Sequence, residues 1–452
     1  MARVLLVNLA SLPMPGNHPI FPIGVRCVQA ALDREHHETR LIDFVEDPAA
    51  RDDVSWAAQG WDVIGFTVRN IDPIDLACDG HVDHYERFVS RVRAAAGDPA
   101  PLLVGGGPGY SLFGDALLTR LGLDVGVIGA GEQSMLDIVA DPEAHRGSGV
   151  NLRGARYDRF VTDLLTHPAS LMAAYVAQDG AMIGVETRRK TCYQECVYCP
   201  YAYITGDNDG DLKPVELLAA ELREIHAAGI RRVFFTDGIF NAELRYAKQV
   251  VRMLAELALP GLTWSAYFTP KPFDDEFAAM LPASNVESVV VSPDSLDPGM
   301  MRTLGKSFDL RHMDRFLERA RRHDLAIRVN VVFGGPGENR ETVAATARYA
   351  NENLNAGELL VHAGYRVLPA TALARQLRLP DRELLDPTFY PIEQEVFSWV
   401  VSDLDSRFVS ARVLLNLMAG RTSARQMTQL PLTEKEPDAF FPYLALSRQS
   451  PR

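Results

Sequence analysis

No stretch of this 452-residue sequence approaches the roughly 20 consecutive apolar residues that cross a bilayer. The opening segment, MARVLLVNLASLP, has one arginine and a short apolar run but no small-residue cleavage site, so it reads as a first strand rather than a signal peptide. A cytoplasmic chain with no membrane partner is expected. Basic residues are in deficit, 46 Lys and Arg against 59 Asp and Glu, for a net charge of −13. Nucleic-acid binding needs basic patches to neutralise phosphates, and this balance argues against it. A cationic small-molecule substrate suits the acidic surplus, as does a plain need for solubility. Cysteine is scarce, five residues in all, and an odd number in a cytosolic chain does not make a disulfide framework. Internal repeats and low-complexity tracts are missing too.

What is present is globular. Hydrophobic residues make up 47% and charged residues 23%, enough for a large core without covalent staples. Strand and helix signals alternate almost throughout, which predicts an α/β fold with parallel strands. Residues 1–145 contain RVLLVNL, TRLIDF, DVIGFTV, PLLVGGG and DVGVIGAGE as strands, with helical runs such as IGVRCVQAALDRE between them. That layout predicts a doubly wound Rossmann-type domain whose ligand sites lie at the carboxyl ends of its strands. Residues 146–181 show no clear period and read as a connector. A second series over 182–385 has six strands, MIGVE, RRVFFT, LTWSAY, ESVVVS, AIRVNVVF and ELLVHA. Six strand–helix units predict a partial rather than a closed eightfold barrel. Residues 386–452, with DPTFYPIEQEVFSWVVSDL and RVLLNLMAG, read as a small helical cap.

Three of the five cysteines crowd into RRKTCYQECVYCPYAY, directly after the first strand of the second series. Cys192, Cys196 and Cys199 stand in a Cys-x3-Cys-x2-Cys spacing; Cys27 and Cys78 read as incidental. Thiolates are the usual ligands of iron–sulfur clusters, and three on one short loop hold three irons of a cubane and leave the fourth open. Zinc with a histidine as fourth ligand and a redox Cys-x2-Cys pair are the alternatives. No histidine follows within twenty residues, and a redox pair leaves Cys192 unexplained.

With its flanking aromatics, this motif resembles that of the radical S-adenosylmethionine (SAM) superfamily, and more narrowly the branch with an N-terminal cobalamin-binding domain. The resemblance covers residues 1–385. It implies that the cysteines ligate a 4Fe-4S cluster, that SAM chelates the open iron, and that SAM is cleaved to a 5′-deoxyadenosyl radical. An electron donor such as flavodoxin or ferredoxin is implied as partner. Tyr198 would pack beside the SAM adenine. FFTDGIFN resembles the family's SAM amino-group motif, with Thr236, Asp237 and Gly238 at the contact, although Asp is also an ordinary helix cap. Ser292 and Asp294, in VVSPDSLDPGMMRTLGKSF, are candidates for ribose or substrate. Arg328 and Asn330, in RVNVVFGGPGE, would meet SAM, with Gly334, Gly335 and Gly337 allowing close backbone approach. GYRVLPATAL, with Tyr365 and Arg366, resembles the family's late loop beside the substrate.

In the first domain, VGGGPGYSLFG and GVIGAGE resemble cobalamin-domain loops. Gly106, Gly107, Gly109, Ser111, Gly131 and Glu132 would lie along the nucleotide tail, with Arg69 and Asn70 under the corrin. A structural turn explains such glycines equally well. There is no Asp-x-His-x-x-Gly motif to offer an axial histidine, and Gly114 stands where relatives often have proline. The resemblance points to cobalamin-dependent C-methylation of a small polar metabolite in natural-product (antibiotic) biosynthesis. A second reading is cobalamin-independent radical dehydration or deoxygenation of an aminosugar, with Asp237, Asp294 or Glu338 as the base. A non-catalytic cobalamin sensor is a third, against which the intact cysteine triad speaks.

Overall fold

A computed structural model describes residues 1–14, 19–72, 81–178, 181–190, 192–205, 209–391 and 395–408. Two six-stranded sheets dominate it. The first comprises β1 (Arg3–Asn8), β2 (Glu38–Ile42), β3 (Val63–Thr67), β4 (Leu102–Gly106), β5 (Val125–Ile128) and β6 (Val150–Arg153). All its pairings are parallel, in the order β2-β1-β3-β4-β5-β6. The order reverses between β1 and β3, which opens a crevice at their carboxyl ends. β1 and β3 are near-continuous apolar runs because helices cover both faces of a parallel sheet; Val4, Leu5, Val7, Val63 and Ile64 are fully buried.

The second sheet comprises β7 (Ile183–Val185), β10 (Arg232–Phe235), β11 (Thr263–Phe268), β12 (Val286–Asp294), β13 (Ile327–Phe333) and β14 (Leu359–Ala363). It too is wholly parallel, and its strands lie side by side in chain order. Each right-handed crossover therefore adds the next strand on the same side, and the result is the expected six-stranded partial barrel. Between β7 and β10 the chain makes an antiparallel hairpin of β8 (Arg188–Lys190) and β9 (Asp209–Leu212). The connecting helices follow their sequence pattern. In Leu310–Arg322, Met313, Phe316, Leu317 and Ala320 form the buried stripe, while the Asp309 carboxylate accepts from the His312 N–H at 3.2 Å as a cap, worth about 1 kcal/mol. No helix among the described residues is long and apolar enough to cross a membrane.

The interval 146–181 is more than a connector. β6 completes the first sheet, and helix Ala169–Val176 buries Leu171, Met172 and Tyr175. β6 escaped periodicity because it is a four-residue edge strand, exposed at both ends. In the cap, helix Glu395–Asp403 is present; RVLLNLMAG lies outside the described residues, as does Cys78.

The two sheets are tied together. Met300, Leu304, Tyr365 and Val367, from the barrel side, share one apolar cluster with Leu9, Phe66, Val68 and Tyr110. Arg366 pairs with Asp72 at 2.8 Å, and Arg189 with Glu132 at 2.5 Å. The carboxyl ends of both sheets consequently face a common space.

Candidate active site

That space is a cavity of about 1630 Å³. A site for one small ligand has roughly 300–1,000 Å³, so this one has room for more than one. From the first sheet it is lined by Asn8, Thr67, Arg69, Gly106, Gly107, Ser111, Gly131 and Glu132. From the second come Glu186, Thr236, Asp237, Gly238, Ser292, Asp294, Asn330 and Tyr365, together with Cys192, Cys196, Cys199 and Tyr198.

The cysteine loop is held from below. Val197 donates its N–H to the Leu304 carbonyl at 3.2 Å and accepts from the Leu373 N–H at 2.9 Å. Gly305, at φ 79°, touches the loop so closely that a Cβ would lie 2.2 Å from the Glu195 carbonyl oxygen. All three thiols are free; Cys192 and Cys196 are half-buried and Cys199 is exposed. Burial raises the Cys192 thiol. Metal binding reverses this by displacing the protons. Among the described residues, no three His, Cys, Asp or Glu side chains meet at a point fit for a single ion. One zinc requires such convergence. A cubane takes a different iron for each thiolate, and this donor set fits it.

Asp237 is buried, and burial pushes its carboxyl up to about 6. Its oxygens accept from the Thr187 hydroxyl at 2.5 Å and from the N–H groups of Thr187 and Arg188 at 3.3 and 3.2 Å. It clamps the start of the β8 hairpin, which carries the cysteine loop. Gly238 donates its N–H to the Tyr201 hydroxyl at 3.2 Å. Asn330 donates to the Ser292 hydroxyl at 2.9 Å, and its own Oδ1, buried at the cavity wall, has no partner among the described residues. An orphaned buried acceptor costs about 1–3 kcal/mol, and a donor from SAM would satisfy it.

Asp294 ends β12 at φ 60°, beside a break in register with β13. Aspartate tolerates this left-handed conformation better than most residues. The turn directs its carboxylate to Lys306, 2.5 Å away, with the two side chains 4% and 3% exposed. Tyr198 donates its hydroxyl to the same carboxylate and accepts from Lys306 at 3.0 Å. The Tyr198 ring packs on Tyr365 at 5.0 Å between centroids. Nothing local in the sequence marked Lys306; only the fold brings it under the cysteines.

Glu186, at the end of β7, was missed as well. Its Oε2 accepts from Arg189 at 3.0 Å, while Oε1 has no hydrogen bond among the described residues and the side chain is 31% exposed, to the cavity. Burial opposes its ionisation, but Arg189 and Lys213 outweigh burial and hold the carboxyl below its usual range.

Four expected residues stand elsewhere. Glu338 does not line the cavity. It accepts from the backbone N–H groups of Gly334 and Gly335 and so closes the turn after β13, burial pushing its carboxyl up to about 7. Arg328 turns back to the Ile327 carbonyl at 3.0 Å. Asn70 gives its carbonyl to the Tyr85 hydroxyl at 2.8 Å, and its amide oxygen accepts from Arg69 at 3.0 Å. Gly109 packs against the chain, where a Cβ would stand 2.5 Å from the Arg69 carbonyl oxygen. Gly107, at φ 98°, is likewise required by Thr67 and Val68, both 2.6 Å from a would-be Cβ. Gly106 is different: a Cβ there meets nothing nearer than 4.0 Å, so its bare backbone is open to a ligand.

Comparison with known proteins agrees with this geometry. Residues 190–350 match the Radical SAM superfamily. Tryptophan 2-C-methyltransferase of Streptomyces laurentii is 23% identical, over 83% of this chain and 74% of its own length. The radical SAM methyltransferase TsrM of Kitasatospora setae, solved with tryptophan and a SAM analogue, superimposes with a TM-score of 0.70 at 22% identity, over 83% of this chain and 76% of that one. The cobalamin-dependent SAM radical enzyme OxsB gives 0.68 at 12% identity, over 89% and 66%. Residues 190–350 thus match a radical SAM domain, and the chain has the two-sheet fold that TsrM and OxsB share.

Proposed function

We propose that the enzyme is a cobalamin-dependent methyltransferase that places a methyl group on carbon of a small metabolite. One observation carries this reading: the glycine-rich edge of the first sheet and the cysteine loop of the second open into one cavity larger than a single-ligand site. A methyl carrier on one side and a SAM-cleaving cluster on the other must share their substrate, and this architecture lets them. The names of the relatives agree, since TsrM has been solved with cobalamin and a 4Fe-4S cluster.

Cys192, Cys196 and Cys199 would hold the cluster, Asn330 and Ser292 would meet SAM, and Gly106, Ser111, Gly131 and Glu132 would border cobalamin. When bound, the cluster supplies electrons to SAM and cobalamin carries the methyl group. The chain's own part is placement. Phe234, Tyr267, Phe268 and Phe308 form an apolar wall on the barrel side, which excludes water. Glu186 presents one carboxylate oxygen to the same space and would take an ammonium group of the substrate.

Dehydration has less support. Of the bases it could use, Asp237 and Asp294 are committed to protein partners, Glu338 is outside the cavity, and Glu186, held below its usual range by Arg189 and Lys213, is a weak base. Anaerobic purification with cobalamin supplied, followed by an absorption spectrum and mass analysis of products, separates the two. Corrin bands and a product heavier by one methyl group are expected; a normal cluster without corrin, or a product lighter by water, contradicts the proposal.

A further inference from the structure

Lys306 carries a charge in an unusual position. It follows Gly305, whose would-be Cβ lies 3.3 Å from the Cys196 Cα, and its N–H is fixed to the Met301 carbonyl at 2.9 Å. Its side chain is 3% exposed. An ammonium has three N–H donors. Asp294 and Tyr198, the latter standing between Cys196 and Cys199 in the chain, take two of them. A buried ion pair adds little net stability compared with an apolar pair, so stability alone does not account for it. A fixed charge in a low-dielectric interior acts strongly on groups a few ångströms away.

Building on the cluster assignment above, we propose that Lys306 is a positioning residue for the iron–sulfur cluster: Asp294 and Tyr198 hold its ammonium beside the loop of Cys196 and Cys199, and there it makes the cluster easier to reduce. Hydrogen bonds and charge at the ligand sulfurs are among the determinants of a cluster's potential. A reduced cluster carries one more negative charge than the oxidised one, and a nearby cation stabilises that form preferentially. Tyr198 and Asp294 thereby act on the cluster through Lys306 rather than as an adenine platform and a base.

The test is a potentiometric titration of anaerobically reconstituted protein with dithionite, without SAM, following the reduced cluster by electron paramagnetic resonance. Lys306→Met with full iron and sulfide content should have a more negative midpoint than the wild type, and Lys306→Arg should recover most of the difference. Equal midpoints in Lys306→Met and wild type overturn the proposal. Should Lys306→Met fail to fold because it strands the Asp294 carboxylate, the double variant Lys306→Met with Asp294→Asn removes both charges. Its midpoint should still lie below that of the wild type, and an unshifted one overturns the proposal. A wild-type chain that takes up no iron and sulfide overturns the cluster assignment itself, which the content assay distinguishes from an unshifted potential.

Discussion

Gly305 and Glu195 touch backbone to backbone: a single β-carbon added to Gly305 would stand 2.2 Å from the Glu195 carbonyl oxygen. The cysteine loop therefore rests on a glycine that lies far along the chain, after the helix following β12. Gly305→Ala should combine left-handed strain of about 1 kcal/mol with a clash that the loop can relieve only by moving. Iron and sulfide content after anaerobic reconstitution should fall well below the wild-type value, with the circular dichroism spectrum preserved. Full content would show that the contact is slack.

Gly106 and Gly107 are neighbours with opposite expectations. Gly106→Val adds bulk into open cavity space and suits a strand end, so the fold and the cluster should persist while corrin absorption is lost. Gly107→Ala meets the Thr67 hydroxyl and the Val68 carbonyl at 2.6 Å at a positive φ, and should destabilise the protein by about 1–3 kcal/mol. Thermal unfolding and the bound-corrin spectrum of the two variants check the pair.

The unpartnered Oδ1 of Asn330 predicts a contact with SAM. One hydrogen bond is worth about 0.5–1.5 kcal/mol, so Asn330→Leu should weaken SAM binding about 3- to 10-fold, read by equilibrium binding. Unchanged affinity would make Asn330 only a partner of Ser292.

Glu338 provides a pH signature. Its carboxyl is raised to about 7 in the folded chain by burial, against about 4.3 when unfolded. The folded state thus binds the proton more tightly. The contribution to stability is full below about pH 4.3 and is lost as pH rises through 7, by about 1–3 kcal/mol. Glu338→Gln should flatten the thermal midpoint between pH 5 and 8 relative to the wild type. An identical slope in both proteins would contradict the assignment.

Both sheets could be read from the sequence because parallel strands buried on two faces are apolar runs, and helices such as Leu310–Arg322 have a regular stripe. β6 and the β8–β9 hairpin could not, being short, polar edge elements whose pairing is decided by distant partners. The cysteine triad was legible from spacing alone. Lys306 and Glu186 were not, since a lone Lys after glycine and a Glu after a strand acquire meaning only from what the fold sets opposite them. Asp237, Asp294 and Glu338 were legible as carboxylates near strand ends, but not their partners. Those partners, the hairpin start, Lys306 and the turn after β13, convert three candidate bases into structural ties.

The central claim is that one cavity serves a cluster on the cysteine loop and cobalamin on the glycine edge. Chain purified anaerobically with iron, sulfide and cobalamin supplied should contain four irons per chain and one corrin, and Cys196→Ala should lose the iron and SAM cleavage while keeping the corrin. Zinc in place of iron, no corrin in the wild type, or SAM cleavage surviving in Cys196→Ala would contradict it.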